Sequence, residues 1–365
     1  MKNGLTVLCF IVLILPVSAF TTMADDAPVR PVDLPSSFSW RDINGTDYTT
    51  PVRDQAPAPT CEAYAICAAL ETEMQYKLKE RYLPDLSENH LFFSAGGTMK
   101  KGGVNLADAA TYVKNIGVPD EGCWPEPHRP VDYSFQSLPG WQNRTVRITD
   151  WGWIQDNVTV MKQALIEYGP LVICIHFSRD FIHYHGGVYK GPQGTIIGGH
   201  VVTIVGYNDS QGCWIVKNSD GTGWGEDGYF RMAYDANMIA HWSGTGIMYL
   251  DGVYGNLRPN VPKIYLETPE YFHTYLFGKG FSTLVRGTLL QKAAARIFGP
   301  LTVTVTTENA NSVEFFVDNV SQYIDTQAPF TWDLHATHGL HTLEVRATDE
   351  HQDASLAILD FYNLL

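Results

Sequence analysis

Positive charge is scarce in this chain: 25 lysines and arginines face 39 acidic residues, for a formal net charge of −14 over 365 residues. Nucleic acid is therefore a poor partner, because phosphate contacts call for clustered Lys and Arg, and no basic stripe is present. Long apolar runs are missing as well, apart from one near the N-terminus. A bilayer takes roughly 20 consecutive apolar residues to span, so no later segment is expected to cross a membrane. Cysteine is sparse, with six in all. A chain of this length can bury a sizeable core and needs no disulfide framework. What remains, 45% hydrophobic and 18% charged, is ordinary globular composition. At roughly 150 residues per domain it predicts two or three domains.

The N-terminus reads as an export signal. Lys2 precedes the apolar run Leu5 to Leu15, and small residues follow at Val17-Ser18-Ala19 and Thr22-Met23-Ala24. A charged start, a short apolar stretch and a small-residue exit describe a signal peptide over residues 1–24. The mature protein is then expected to be secreted or held at the cell surface. Cys9 leaves with the signal, so Cys61, Cys67, Cys123, Cys174 and Cys213 remain, and an odd count leaves at least one thiol unpaired. Cys67, Cys174 and Cys213 lie in apolar surroundings and read as core residues.

A compositional break at Gly255 to Pro262 predicts a linker over residues 256–262. Beyond it the signal is mostly strand. Leu301 to Thr306 and Thr342 to Ala347 alternate in polarity, and a hairpin turn is expected at Asp318-Asn319. Leu289 to Arg296 alone looks helical. The segments Val313 to Asp318, Ala328 to Trp332, Gly339 to Leu343 and Ala347-Thr348-Asp349 resemble bacterial and archaeal Ig-like modules. The resemblance implies an all-β Ig-like sandwich over residues 263–365, serving as a spacer or binding a cell-surface or polymer ligand.

The first part of the chain carries the chemistry. Thiol catalysis needs a thiolate, a nearby proton acceptor, a group that orients the acceptor, and donors for the oxyanion. After the proline-rich Ala56 to Pro59, Thr60 is placed to cap a helix running from Cys61 to about Lys79. Cys61 then sits at a helix N-terminus, where free N–H groups favour a thiolate. His200 follows Gly198-Gly199 and opens the strand Val201 to Tyr207, and Asn218 lies in Lys217-Asn218-Ser219 before a glycine-rich turn. Each residue alone has an ordinary structural explanation. Together they lie roughly 140 and 160 residues after Cys61, close to the spacing of a known thiol-peptidase arrangement.

With the segments Phe38 to Arg41, Leu86 to Leu91, Gly169 to Val172, Tyr184 to Tyr189 and Trp224 to Tyr229 in the same order, residues 34–255 resemble papain-family cysteine peptidases. The resemblance implies an α+β papain-like fold of two subdomains, a helical half and a β-barrel-like half. It also implies an endopeptidase acting on peptide or protein substrates without a cofactor. By the same resemblance Cys61 is the nucleophile, His200 its base, Asn218 the orienting group, and Gln55 an oxyanion donor with the Cys61 N–H. Gly102 and Gly103 would meet substrate backbone. Val104, Cys174 and Val201 would line an apolar, medium-sized specificity pocket. Two departures stand out. Glu62 replaces the family's tryptophan after the nucleophile and reads as a solvent-facing acid at the helix start. Asp220 stands where a tryptophan shields the Asn–His hydrogen bond. About ten residues separate the cleavage site from Leu34, too few for an inhibitory propeptide domain. His183 and His185, two apart in a strand-like run, lack a third partner, so no metal is assigned. A catalytically silent binding protein on this scaffold, and a thiol amidase or transpeptidase, remain the alternative readings.

Overall fold

The computed structural model describes residues 33–56, 58–78, 84–98, 102–125, 137–242, 244–256, 261–270, 273–282 and 294–365. The expected signal peptide and most of the expected linker lie outside these residues. Among them, no helix is long and apolar enough to cross a membrane.

Four α-helices form or flank the first half: α1 (Cys61–Leu78), α2 (Glu88–Ser94), α3 (Leu106–Asn115) and α4 (Val158–Glu167). Three begin on side-chain caps. Ser87 Oγ accepts from the His90 N–H, while Asn105 and Asn157 each accept from the second and third N–H groups of their helices. Helix α1 differs. The Thr60 carbonyl accepts the first turn's bonds from Ala63 and Tyr64, but the Thr60 hydroxyl is buried without a partner, so the expected cap does not form. Its burial is also not one-sided. From Ala63 to Gln75 nearly every side chain is covered, as expected of a helix passing through a core rather than lying on one. Around it Ile66, Cys67, Leu70, Leu91, Phe92, Leu106 and Val113 make one fully buried cluster.

An eight-stranded sheet makes the second half. Its strands run in the order Asp150–Ile154, Ile247–Asp251, Leu171–Ser178, Ile196–Asn208, Cys213–Lys217, Tyr229–Ala233 and Val188–Tyr189, with Ser37–Ser39 also on Ile196–Asn208. The long strand Ile196–Asn208 organises the site. Register sets Ile175 opposite His200 and Cys174 opposite Val201, while Thr203 Oγ1 donates to the Ala65 carbonyl of α1 at 3.0 Å. His183 lies in the short 3₁₀ turn Phe181–His183 and His185 in the following loop, so the strand-like reading of that run fails.

The C-terminal part is a sandwich of a three-stranded and a seven-stranded sheet. Alternation holds as expected: Val303, Val305, Val313, Phe315 and Val317 point inward with Trp332 and Phe361. Asp318 and Asn319 both have positive φ, 50° and 67°, the geometry of the hairpin turn read from the sequence. Ala295 and Arg296, expected to end a helical stretch, instead begin the strand Ala295–Phe298. Ala295 and Ile297 are buried in the core, and that burial outweighs alanine's local preference for helix.

The sandwich is pinned to the first half. Arg144, buried, donates from Nε to Asp120 Oδ2 at 2.8 Å, from Nη2 to Oδ1 at 2.5 Å, and from Nη1 to the Ala354 carbonyl at 2.6 Å. Leu356 N–H donates to the Gly122 carbonyl, and Leu356 packs on Cys123 and Leu138. Replacing Arg144 with Met removes one member of this buried pair and leaves the Asp120 charge uncompensated, at a cost of about 3–5 kcal/mol. Thermal melting followed together with limited proteolysis should show a lower midpoint and a C-terminal segment cut more easily; an unchanged melt would mean the pin is not structural.

Candidate active site

The site lies where α1 meets the strand Ile196–Asn208. Cys61, half-buried, is the first residue of the helix, and His200, 7% exposed, is carried on the strand. His200 Nε2 lies 2.7 Å from Asn218 Oδ1. Because that amide oxygen only accepts, Nε2 carries a proton, and in the neutral imidazole the lone pair is on Nδ1. Asn218 Nδ2 in turn donates to Asp220 Oδ2 at 2.8 Å. Asp220 therefore fixes which way the amide faces, a role a tryptophan could not fill.

Gln55 is anchored to Ser219, the neighbour of Asn218. Its backbone N–H donates to the Ser219 carbonyl at 2.9 Å, and its Oε1 accepts from Ser219 Oγ at 2.6 Å. Nε2 donates one hydrogen to the Ala58 carbonyl at 3.0 Å, which leaves the second for a ligand.

An ionic knot under the site joins these pieces. Arg53 Nη1 donates to Glu88 Oε1 at 2.6 Å and Nη2 to Glu71 Oε1 at 3.1 Å, with Asp85 Oδ1 at 2.5 Å from Nη2. Glu71, 2% exposed on α1, also accepts from the Leu86 N–H and from Thr50 Oγ1. Lys217, next to Asn218, donates to the Thr50 carbonyl at 2.8 Å and to its hydroxyl at 3.1 Å. Burial lowers the Lys217 ammonium to about 8, even with Glu71 nearby.

Val104, Cys174 and Val201 are buried in one cluster, and Cys61 packs against it. Gly102 and Gly103 lie alongside, with φ of 71° and 153°. Gly103 has a second reason to be glycine: a Cβ there would stand 2.7 Å from Glu62 Oε1. Glu62 is therefore not the solvent-facing acid expected. It turns inward, where the Val104 N–H donates to it and Cys61 Sγ lies 3.6 Å from Oε2. Burial raises its carboxyl to about 7. The Cys61 thiol is pushed up, first by burial and then by the Glu62 charge, against a Val201 N–H that favours the thiolate. Burial pulls the His200 imidazole down, while Asn218 and Asp220 pull it up. Among the described residues, the thiol is hydrogen-bonded to Glu62 and not to His200. The expected depression of the thiol pKa by the helix end is outweighed here.

Two aromatics add to what the sequence indicated. Phe177 lies 5.3 Å from the His200 ring. Trp242, 45% exposed, lies against Gly199. Its trace in the sequence is the bare Gly199, where a side chain is missing to make room for it. Cys67, Cys174 and Cys213 are buried as expected; all five described cysteines are free, where the odd count required only one, and only Cys61 is not buried.

This geometry can be set beside known proteins. The model of the papain family of cysteine proteases matches residues 34–247, and that of a bacterial Ig domain matches residues 291–345. Fruit bromelain of Ananas comosus is 35% identical over 213 residues, 57% of this chain and 57% of that protein. Procathepsin L of Felis catus is 34% identical over 219 residues, covering 56% of this chain and 62% of that protein. The chain thus spans under two thirds of the length of either relative. Among solved structures, the digestive procathepsin L2 proteinase of Tenebrio molitor larval midgut superposes with a TM-score of 0.51 at 27% identity, over 61% of this chain and 70% of that one. A family model that takes in more than half of the residues, on a fold with the same helix-and-sheet halves, settles the relationship: this chain belongs to the papain family of cysteine proteases.

Proposed function

We propose that the protein is a secreted cysteine endopeptidase that cleaves peptide bonds through Cys61, His200, Asn218 and Gln55. The observation that carries this reading is the 2.7 Å His200–Asn218 contact, which aims the ring so that the neutral imidazole has Nδ1 free, on a strand that meets the helix beginning at Cys61. Secretion rests on the signal-like residues 1–24. The C-terminal sandwich is proposed to bind a cell surface or polymer.

In this reading the thiol turns from Glu62 toward His200 and gives its proton to Nδ1. The sulfur then attacks the scissile carbonyl carbon. The carbonyl π electrons move to oxygen, which is met by the Cys61 N–H and the free Gln55 Nε2 hydrogen. Collapse of this intermediate breaks the C–N bond, and His200 returns the proton to the departing amine. Water, deprotonated by His200, attacks the thioester, and the carboxylic acid leaves as Sγ is reprotonated. Asn218 keeps the ring aimed through both steps. Gly102 and Gly103 hold the peptide backbone, and Val104, Cys174 and Val201 line the pocket for one of its side chains.

The test is hydrolysis of a mixed fluorogenic peptide set by the protein and by Cys61→Ala. Activity should vanish in Cys61→Ala, and Gln55→Ala should lower kcat by about 10²–10³ with KM little changed. Two folded but silent proteins, with a Cys61 that resists alkylation, would favour the binding-protein reading instead.

Glu62 adds a pH prediction. An ionised carboxylate beside the thiol disfavours the thiolate, so Glu62→Gln should move the pH midpoint of Cys61 alkylation by iodoacetamide downward. No movement would show that the charge does not reach the sulfur.

A further inference from the structure

The pocket beside the nucleophile is not the purely apolar slot that Val104, Cys174 and Val201 suggest. Glu62 brings a carboxylate to its Gly103 side, close enough to Cys174 to help raise that thiol. No cation appears among the groups acting on Glu62; its favourable partners are its own N–H, the Val104 N–H and the Cys61 thiol. Trp242 stands near Cys174 as well. A Cβ on Gly199 would lie 2.4 Å from its Cζ3 and 3.3 Å from Cys174 Sγ, so indole and thiol meet over this glycine. The loop bearing the indole is held in place, because the Trp242 N–H donates to Thr245 Oγ1 at 2.9 Å and the Thr245 N–H to the Trp242 carbonyl at 3.0 Å. Almost half of Trp242 still faces solvent.

An unneutralised carboxylate and a half-exposed indole, both near Cys174, with His176 edge-on to the indole at 5.2 Å, make a receptor for a positive charge on an apolar stem. Carboxylates pair with ammonium and guanidinium groups, and tryptophan is the aromatic that best attracts a cation to its face. We propose that this pocket selects substrates carrying a lysine or arginine side chain, with Glu62 taking the charge and Trp242 covering the stem. The proposal rests on the peptidase reading above and names the substrate class of the same site. It also gives Glu62 a use. In the free protein the carboxylate holds the thiol proton; a docked cation offsets the carboxylate's charge, and the proton is then released more readily to His200. A cationic side chain would thereby raise kcat as well as lower KM.

A fluorogenic library varied one position at a time tests this on the full chain. At one position Arg and Lys should exceed Leu by at least about tenfold in kcat/KM, the worth of one charge-assisted contact. Glu62→Gln should bring that ratio to within about twofold, and Trp242→Leu, a change at an exposed ring, should lower the Arg and Lys rates while leaving Leu unaffected. A preference for Leu in the native protein, or an Arg preference that survives Glu62→Gln, overturns the proposal. If no peptide is cleaved, the hydrolytic reading fails separately, and the pocket is judged by how fast arginyl and leucyl electrophilic peptides label Cys61. Faster arginyl labelling supports the pocket; equal rates, or none, overturn it.

Discussion

Arg53 holds the site together. Its guanidinium reaches carboxylates on α1, on α2 and on the segment between them, while the chain beside it carries Gln55. Glu71 passes the link through Thr50 to Lys217, whose neighbour is Asn218. Gln55, helix α1 and Asn218 are thus fastened to one buried ionic cluster. Such clusters are costly to desolvate and add little net stability when complete. Their value here is geometric, since each charge can be satisfied only if three separate segments arrive together.

The Cys61 thiol itself is placed in tension. The start of α1 and the Val201 N–H favour a thiolate, while burial and Glu62 oppose it, and the opposition is stronger. Asp220 works the other way on His200, favouring the imidazolium that burial opposes. The acids at 62 and 220 therefore bear on the proton balance of the site without disturbing its frame, because the His200–Asn218 contact and the Gln55 anchoring are both made.

Much of the fold was legible from sequence because the signals were local. The alternation in Thr302–Glu308 and the Asp318-Asn319 turn follow from side-chain period and from residues that tolerate positive φ. The candidate site residues were named from motif order and spacing, and the fold brings His200 to Asn218 and Gln55 to Ser219. Direction was not. Whether Glu62 faces water or Gly103 depends on residues some forty positions away, as a glycine's missing Cβ opens the space. Trp242 was missed for the same reason, and Ala295 was misread because only the assembled sandwich shows that it is buried. The Thr60 hydroxyl shows the limit of composition rules: the right residue for a cap is present, but it makes no cap.

The seam between the halves bears on how the protein is made. Cys123, Leu138 and Arg144 find part of their cover in Ala354 and Leu356, carried on the last strand, Ala354–Asn363. Chains leave the ribosome N-terminal end first, so more than two hundred residues must be synthesised before that surface is closed. Until then this patch of the first half lacks the side chains and the carbonyl that cover it in the folded protein.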